Sequence, residues 1–272
     1  MVLLTCAVLP VWFALPDTQS TGALKLLQAL QTLSVFLLPP LLMAYLWSDA
    51  PAQWLRMQPT PSLKVTLAAV GIMLLAMPGI NLLADLNSRL VLPEFLAPLE
   101  EVMKRMEEQA AVITLRFMRT TSLAGLAVNL SVMALLPAIG EELTFRGVLF
   151  NLFSPNRSSE ARVPHAAIWA VAVIFSLVHM QFYGFVPRML LGALFGYVVC
   201  WTGSLWTSVW MHFTNNAVAV LAYFVVFRSG LNPDTLETFG TGDTLWLGIF
   251  SVLTTVLAVL LFRKKTKPNQ NI

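Results

Sequence analysis

Residues 122–150 read SLAGLAVNLSVMALLPAIGEELTFRGVLF. The stretch is longer than the about 20 apolar residues that a helix needs to cross a bilayer, yet it carries Glu141, Glu142 and Arg146. A charge at the membrane centre costs upward of about 2.5 kcal/mol, so such residues are as a rule paired, inward-facing and functional. Glu142 and Arg146 stand four apart on one helical face, where they can form an ion pair. Glu141 points about 100° away from Glu142, free for other work. Pro137 and Gly140 just upstream predict a kink and a close backbone approach, and Gly147 eases packing where polar groups crowd.

Outward from this stretch the chain keeps the same character. Of its 272 residues, 57% are hydrophobic and 11% charged, where soluble domains carry about 25% charge. That excludes a soluble globular enzyme and a disordered tail. The net charge is only +3, with no Lys/Arg block before the C-terminal tail, which excludes a nucleic-acid binder. Further spans are predicted at residues 26–47, 64–84, 164–180, 188–202, 205–227 and 244–262, with residues 1–15 as a short first span. The fold class is all-α, a polytopic transmembrane bundle of about 7–8 membrane helices with one interfacial amphipathic helix. A single membrane domain is expected in three parts: N-terminal helices with the amphipathic helix over 1–120, a core that holds the buried charges over 121–227, and a last helix with a basic tail over 228–272. Pro39-Pro40 predicts a kink, because proline removes a backbone donor and clashes with the preceding turn. Cys6 and Cys200 lie in apolar runs without CxxC spacing, which predicts neither a disulfide framework nor a thiolate metal site.

The amphipathic helix is read from residues 94–119. Phe95, Leu99, Val102, Met106, Ala110, Ile113 and Phe117 recur at three- and four-residue spacing, and Glu100–Lys104 and Glu101–Arg105 are favourable i,i+4 pairs. Such a helix is expected to lie in the membrane interface; a solvated connector is the plainer alternative. Glu100-Glu101-x-x-x-Arg105 also repeats the spelling of residues 141–146, but on a polar face that needs no function. The basic tail Arg263, Lys264, Lys265 and Lys267 places the C-terminus in the cytoplasm. Loop 229–243, with Asp234, Glu237 and Asp243, then falls outside, and loop 153–163, with Arg157 and Arg162, inside. Residues 85–120 count as outside yet hold Arg89, Lys104, Arg105, Arg116 and Arg119, against the rule.

Two more polar insertions follow the acidic pair. His179 ends one membrane helix, a turn after Phe175, and His212 opens another, a turn before Asn216. His165, at the head of a helix, reads as structural, and Asn81, Asn129 and Asn215 as helix–helix hydrogen bonds. Glu141, Glu142, Arg146, His179, His212 and Asn216 together make a candidate hydrolytic site. A buried carboxylate can take a proton from water, a histidine can share it, and a His/Asn pair can donate to a developing oxyanion. Full-length spans would separate His179 and His212 by about 10 Å or more in depth. Residues 181–187 are therefore expected to form an irregular turn within the membrane, lining a water-filled cavity.

Glu141-Glu142-x-x-x-Arg146, Phe175-x-x-x-His179 and His212-x-x-x-Asn216 resemble, in order, the three motifs of the CPBP family of intramembrane proteases. That family covers CAAX prenyl endopeptidases and bacteriocin-processing and immunity proteins. The resemblance extends over roughly residues 128–223. It implies an endopeptidase acting at or within the membrane, with Glu141 as the base that activates water, assisted by His179. His212 and Asn216 would form the oxyanion hole, and Glu142 and Arg146 would hold Glu141 in place. The family is also described as metalloproteases, which would make Glu141, His179 and His212 a zinc set. The absence of H-E-x-x-H favours the metal-free glutamate mechanism. Implied partners are membrane lipid and a membrane-associated protein or peptide substrate, with no nucleic acid; in a bacterium the location would be the inner membrane. Two alternatives stand beside the protease: a non-catalytic immunity or scaffold protein of the same fold, and a proton-coupled transporter, which the lack of an internal repeat disfavours.

Overall fold

The structure, a computed structural model, describes residues 20–154, 163–236 and 238–266. The expected span at 1–15, Cys6, Arg157, Arg162, Glu237 and Lys267 lie outside these residues. Among the described residues the regular structure is helical throughout. In chain order the main helices are α1 (Thr21–Trp47), α2 (Leu63–Ser88), α3 (Ala97–Met118), α4 (Leu123–Phe153), α5 (His165–Leu177), α6 (Phe182–Thr202), α7 (Leu205–Ser229) and α8 (Gly242–Thr266). All but α3 and α5 are long and apolar enough to cross a membrane. The chain is an integral membrane protein with an all-α, polytopic architecture.

Among the described residues six such helices stand, where seven or eight spans, one of them over 1–15, were expected of the whole chain. The segment 164–180 accounts for one difference: α5 has 13 residues, about 20 Å at 1.5 Å per residue, short of a hydrocarbon core of about 30 Å. It ends because residues 178–180 turn, with Met180 in the left-handed region at φ 54°. Serines start three of the long helices. Ser20, Ser62 and Ser122 each accept a hydrogen bond from the backbone N–H three residues on, which satisfies a donor that the first helical turn leaves free.

Both expected kinks take the form of widened, π-helical turns. In α1 the widened turn is Thr32–Leu37, just before Pro39-Pro40. Pro40 has no N–H for the carbonyl of Phe36, and the Thr144 hydroxyl of α4 donates to it instead, at 3.0 Å. In α4 two such turns, Leu130–Leu135 and Leu143–Leu149, flank the segment Leu136–Glu142. Gly140 is the predicted close approach: a Cβ there would lie 3.1 Å from the Cβ of Phe36 on α1. Gly147 differs from expectation. It faces Leu55, whose Cδ2 would stand 2.9 Å from an added Cβ, so what it accommodates is an apolar contact.

Helix α7 runs through the middle, packed on α2, α4 and α6, while α8 pairs with α2 and α5 with α6. Phe36, Phe145, Phe150, Ile168, Phe175 and Ala193 form a core joining α1, α4, α5 and α6. Met73, Phe195, Trp201, Met211 and Phe262 join α2, α6, α7 and α8. Leu, Val and Phe on the outer faces of α1 and α8 are exposed, as lipid contact requires.

Some of the predicted polar contacts form as expected and others take other forms. Asn129 ties helices together, accepting from Lys25 Nζ at 2.6 Å and donating to the carbonyl of Phe117. Asn81 instead donates to Leu236 and Phe239, pinning the loop before α8, and Asn215 donates to its neighbour Asn216. Both i,i+4 pairs of α3 form, at 2.7 and 3.6 Å. Its predicted apolar face divides: Ala110 and Phe117 are buried, whereas Phe95, Leu99 and Val102 are exposed. Glu100 corrects the polar-face reading, since it is buried and accepts from the Leu92 N–H at 3.1 Å. The Lys104 ammonium beside it, with that N–H, holds its carboxyl below the ordinary range.

Candidate active site

Glu141 and Glu142 sit between the two widened turns of α4, so the local helix presents its carboxylates to two different neighbours. Glu142 turns toward α7 and α6. Its Oε1 accepts from Arg146 Nη1 at 2.7 Å and from His212 Nδ1 at 2.9 Å. Arg146 is 1% exposed, and its Nη2 donates to the carbonyl of Gly192 at 2.9 Å. The guanidinium carbon lies 4.5 Å from the Phe175 ring centre and 5.4 Å from that of Phe195, within the range of cation–π attraction. Gly192 permits this approach: a Cβ there would stand 3.1 Å from the Phe175 ring and 3.3 Å from the backbone of Ala172.

His212 projects from the early part of α7 and stacks on Phe195 at 5.4 Å between ring centres. His179 lies in the turn after α5. Its Nδ1 meets the carbonyl of Phe175 at 2.7 Å, one helical turn back, and Phe175 packs edge-on against its ring. The Phe175 carbonyl accepts, and so does the Glu142 oxygen that Arg146 pairs with, so each Nδ1 carries a proton and, in the neutral form of either ring, Nε2 is the free acceptor. Each Nε2 is 3.9 Å from the same atom, Glu141 Oε2. That oxygen is buried and has no hydrogen-bond partner among the described residues.

The structure thus brings the two histidines together around Glu141, although they come from non-adjacent helices. The depth mismatch of simple spans does not arise, because α5 is short and the His179 ring folds back toward Phe175. The irregular segment expected over 181–187 is shorter: Gln181 is extended, Phe182–Gly184 form a 3₁₀ turn, and the α-helix resumes at Phe185. Glu141, His179, His212 and Asn216 line one cavity of about 250 Å³, shared with Gln28, Met118 and Gln181. Glu142 and Arg146 lie behind it. Gln28, Gln181 and Arg188 escaped the sequence reading. A buried glutamine in an apolar helix was the available signal for Gln28; Arg188 reads as an ordinary helix-opening charge until its contacts are seen. His165 stays apart, bonded to the Tyr197 hydroxyl at 2.7 Å.

Zinc draws N and O ligands to about 2.0–2.2 Å in a tetrahedron, which sets ligand atoms about 3.3–3.5 Å apart. Glu141, His179 and His212 stand wider, and among the described residues no three His, Cys, Asp or Glu are grouped to hold a metal ion. The conditional zinc set does not fit as a ready-made site.

Residues 123–218 match the family model described as type II CAAX prenyl endopeptidase Rce1-like. No curated protein and no solved structure matches the chain. The matched segment contains all six candidate residues. The family read from the motifs and the family of the match are the same, and it is a family of membrane proteases.

Proposed function

We propose that this protein is a CAAX-type intramembrane endopeptidase, cleaving a peptide bond of a membrane-associated protein or peptide with water activated at Glu141. The observation that carries the reading is the convergence of Glu141 Oε2, His179 Nε2 and His212 Nε2 at 3.9 Å. These separations exceed a direct hydrogen bond and suit a water molecule that donates one proton to Glu141 and the other to one of the two imidazoles. Glu141 takes a proton from that water as its oxygen attacks the scissile carbonyl carbon. The proton then passes to the departing amine nitrogen, directly or through His179, so that water is divided between the two products.

The oxyanion that forms in between needs donors. Asn216 accepts from Asn215 at its Oδ1, which leaves its amide N–H groups for the cavity. His212 becomes a donor at Nε2 only as an imidazolium, and the Glu142 carboxylate on its Nδ1 is the group that supports that charge. Arg146 orients Glu142 through its 2.7 Å ion pair, which gives the buried pair a role behind the cavity. The basic residues Arg263, Lys264 and Lys265 favour a cytoplasmic C-terminus.

Comparison of membrane peptides from cells bearing the wild type or Glu141→Gln tests the function and reveals the substrate. A product expected only with the intact carboxylate should fall about 100-fold or more in the variant, the scale of a lost general base. Identical peptides, with the host phenotype retained, would point to the scaffold reading instead.

A further inference from the structure

Beside the cavity a second polar cluster surrounds the turn that carries His179. Arg188, in the first turns of α6, grips a single residue twice: Nη1 donates to the backbone carbonyl of Gln181 at 3.2 Å and Nη2 to its side-chain Oε1 at 3.1 Å. Gln181 lines the cavity, and its amide also faces Glu107 of α3 at 3.5 Å. Burial pushes the Glu107 carboxyl up, and the nearby Arg188 charge acts against that shift. The guanidinium passes over the bare Cα of Gly184, where an added Cβ would come within 2.6 Å of Nη2.

Between His179 and Gln181 stands Met180, at φ 54°. A long side chain in the left-handed region is strained and persists only where its surroundings fix it. A fork on the next residue's carbonyl and side chain is such a fixture, and it is one a planar guanidinium makes and an ammonium does not. Without it the turn can relax, and His179 follows the turn.

We infer that Arg188 is a positioning residue: its fork on Gln181 locks the left-handed turn at Met180 and thereby aims the His179 imidazole at Glu141. The inference rests on the proteolytic reading for its kinetic consequence, but its structural half can be measured without any substrate. Two variants attack the fork by different routes. Arg188→Gln removes the guanidinium, and Gly184→Ala keeps it but fills the space it crosses, a clash with the flexible end of one side chain that the fold can absorb.

Both full-length variants, purified in detergent, are compared with the wild type by hydrogen–deuterium exchange over residues 178–184 and by steady-state cleavage of a prenylated CAAX peptide. The expected result is unchanged thermal unfolding, faster exchange in that segment alone, and a kcat lower by on the order of 10- to 100-fold at a KM within about twofold. Arg188→Lys, which restores charge without the fork, should behave like Arg188→Gln. Wild-type exchange in folded Arg188→Gln and Gly184→Ala would overturn the inference, as would loss of activity through KM alone. If the wild type does not cleave this peptide, the CAAX-type reading fails, and the exchange comparison still decides whether Arg188 holds the turn.

Discussion

Arg146 and Glu141 are both buried charges, yet their surroundings ask different things of them. Taking an ion out of water costs several kcal/mol even after relaxation, and Arg146 recovers this through Glu142, the Gly192 carbonyl and two aromatic faces. Deleting one partner of such a pair leaves the other charge uncompensated. Arg146→Met is therefore expected to destabilise the protein by about 3–5 kcal/mol, seen as a lower unfolding midpoint in detergent, and Glu142→Gln added to it should recover part of the loss. Glu141→Gln should leave the midpoint almost unchanged, because among the described residues no group donates to Glu141 Oε2. If both substitutions destabilise alike, the division between a supporting pair and a working carboxylate is wrong.

At the level of elements, the site depends on helices that depart from regular α geometry where the chain has a stated reason to do so. Pro40 frees the carbonyl of Phe36, and Thr144 takes it up from the widened turn of α4 that follows Glu142. Thr144→Val keeps the shape and removes the donor. It should cost about 1–3 kcal/mol, the penalty of an unsatisfied buried acceptor; a change below the error of the melt would remove this bond from the account. Pro39-Pro40, Pro137 and Gly140 announced these irregularities in the sequence, since a missing N–H and a missing Cβ are local facts. The ends of α5 and the α3 face were not legible in the same way. Met180 adopts its left-handed backbone because of Arg188, seven residues on from Gln181, and Glu100 is buried because the chain at Leu92 folds over it. Contacts made by folding leave no mark in hydrophobic periodicity.

Taken whole, the molecule is an apolar shell around a polar centre. Five of the six candidate residues were legible one by one, since a charge or histidine in an apolar run stands out whatever the fold, and Asn216 by its place one turn after His212. Their common cavity was not, because it requires α5 to stop short and α7 to pass between α4 and α6. The central proposal is that Glu141 activates water for peptide hydrolysis, and the wide spacing of Glu141, His179 and His212 extends it to a step without a metal held by these three. Its most direct test is cleavage of a prenylated CAAX peptide by the purified protein in liposomes, before and after exhaustive chelation, beside the Glu141→Gln variant. The account predicts full activity after chelation and a loss of about 100-fold or more in the variant. Activity that chelation abolishes and zinc restores, or a Glu141→Gln variant that cleaves like the wild type, would contradict it.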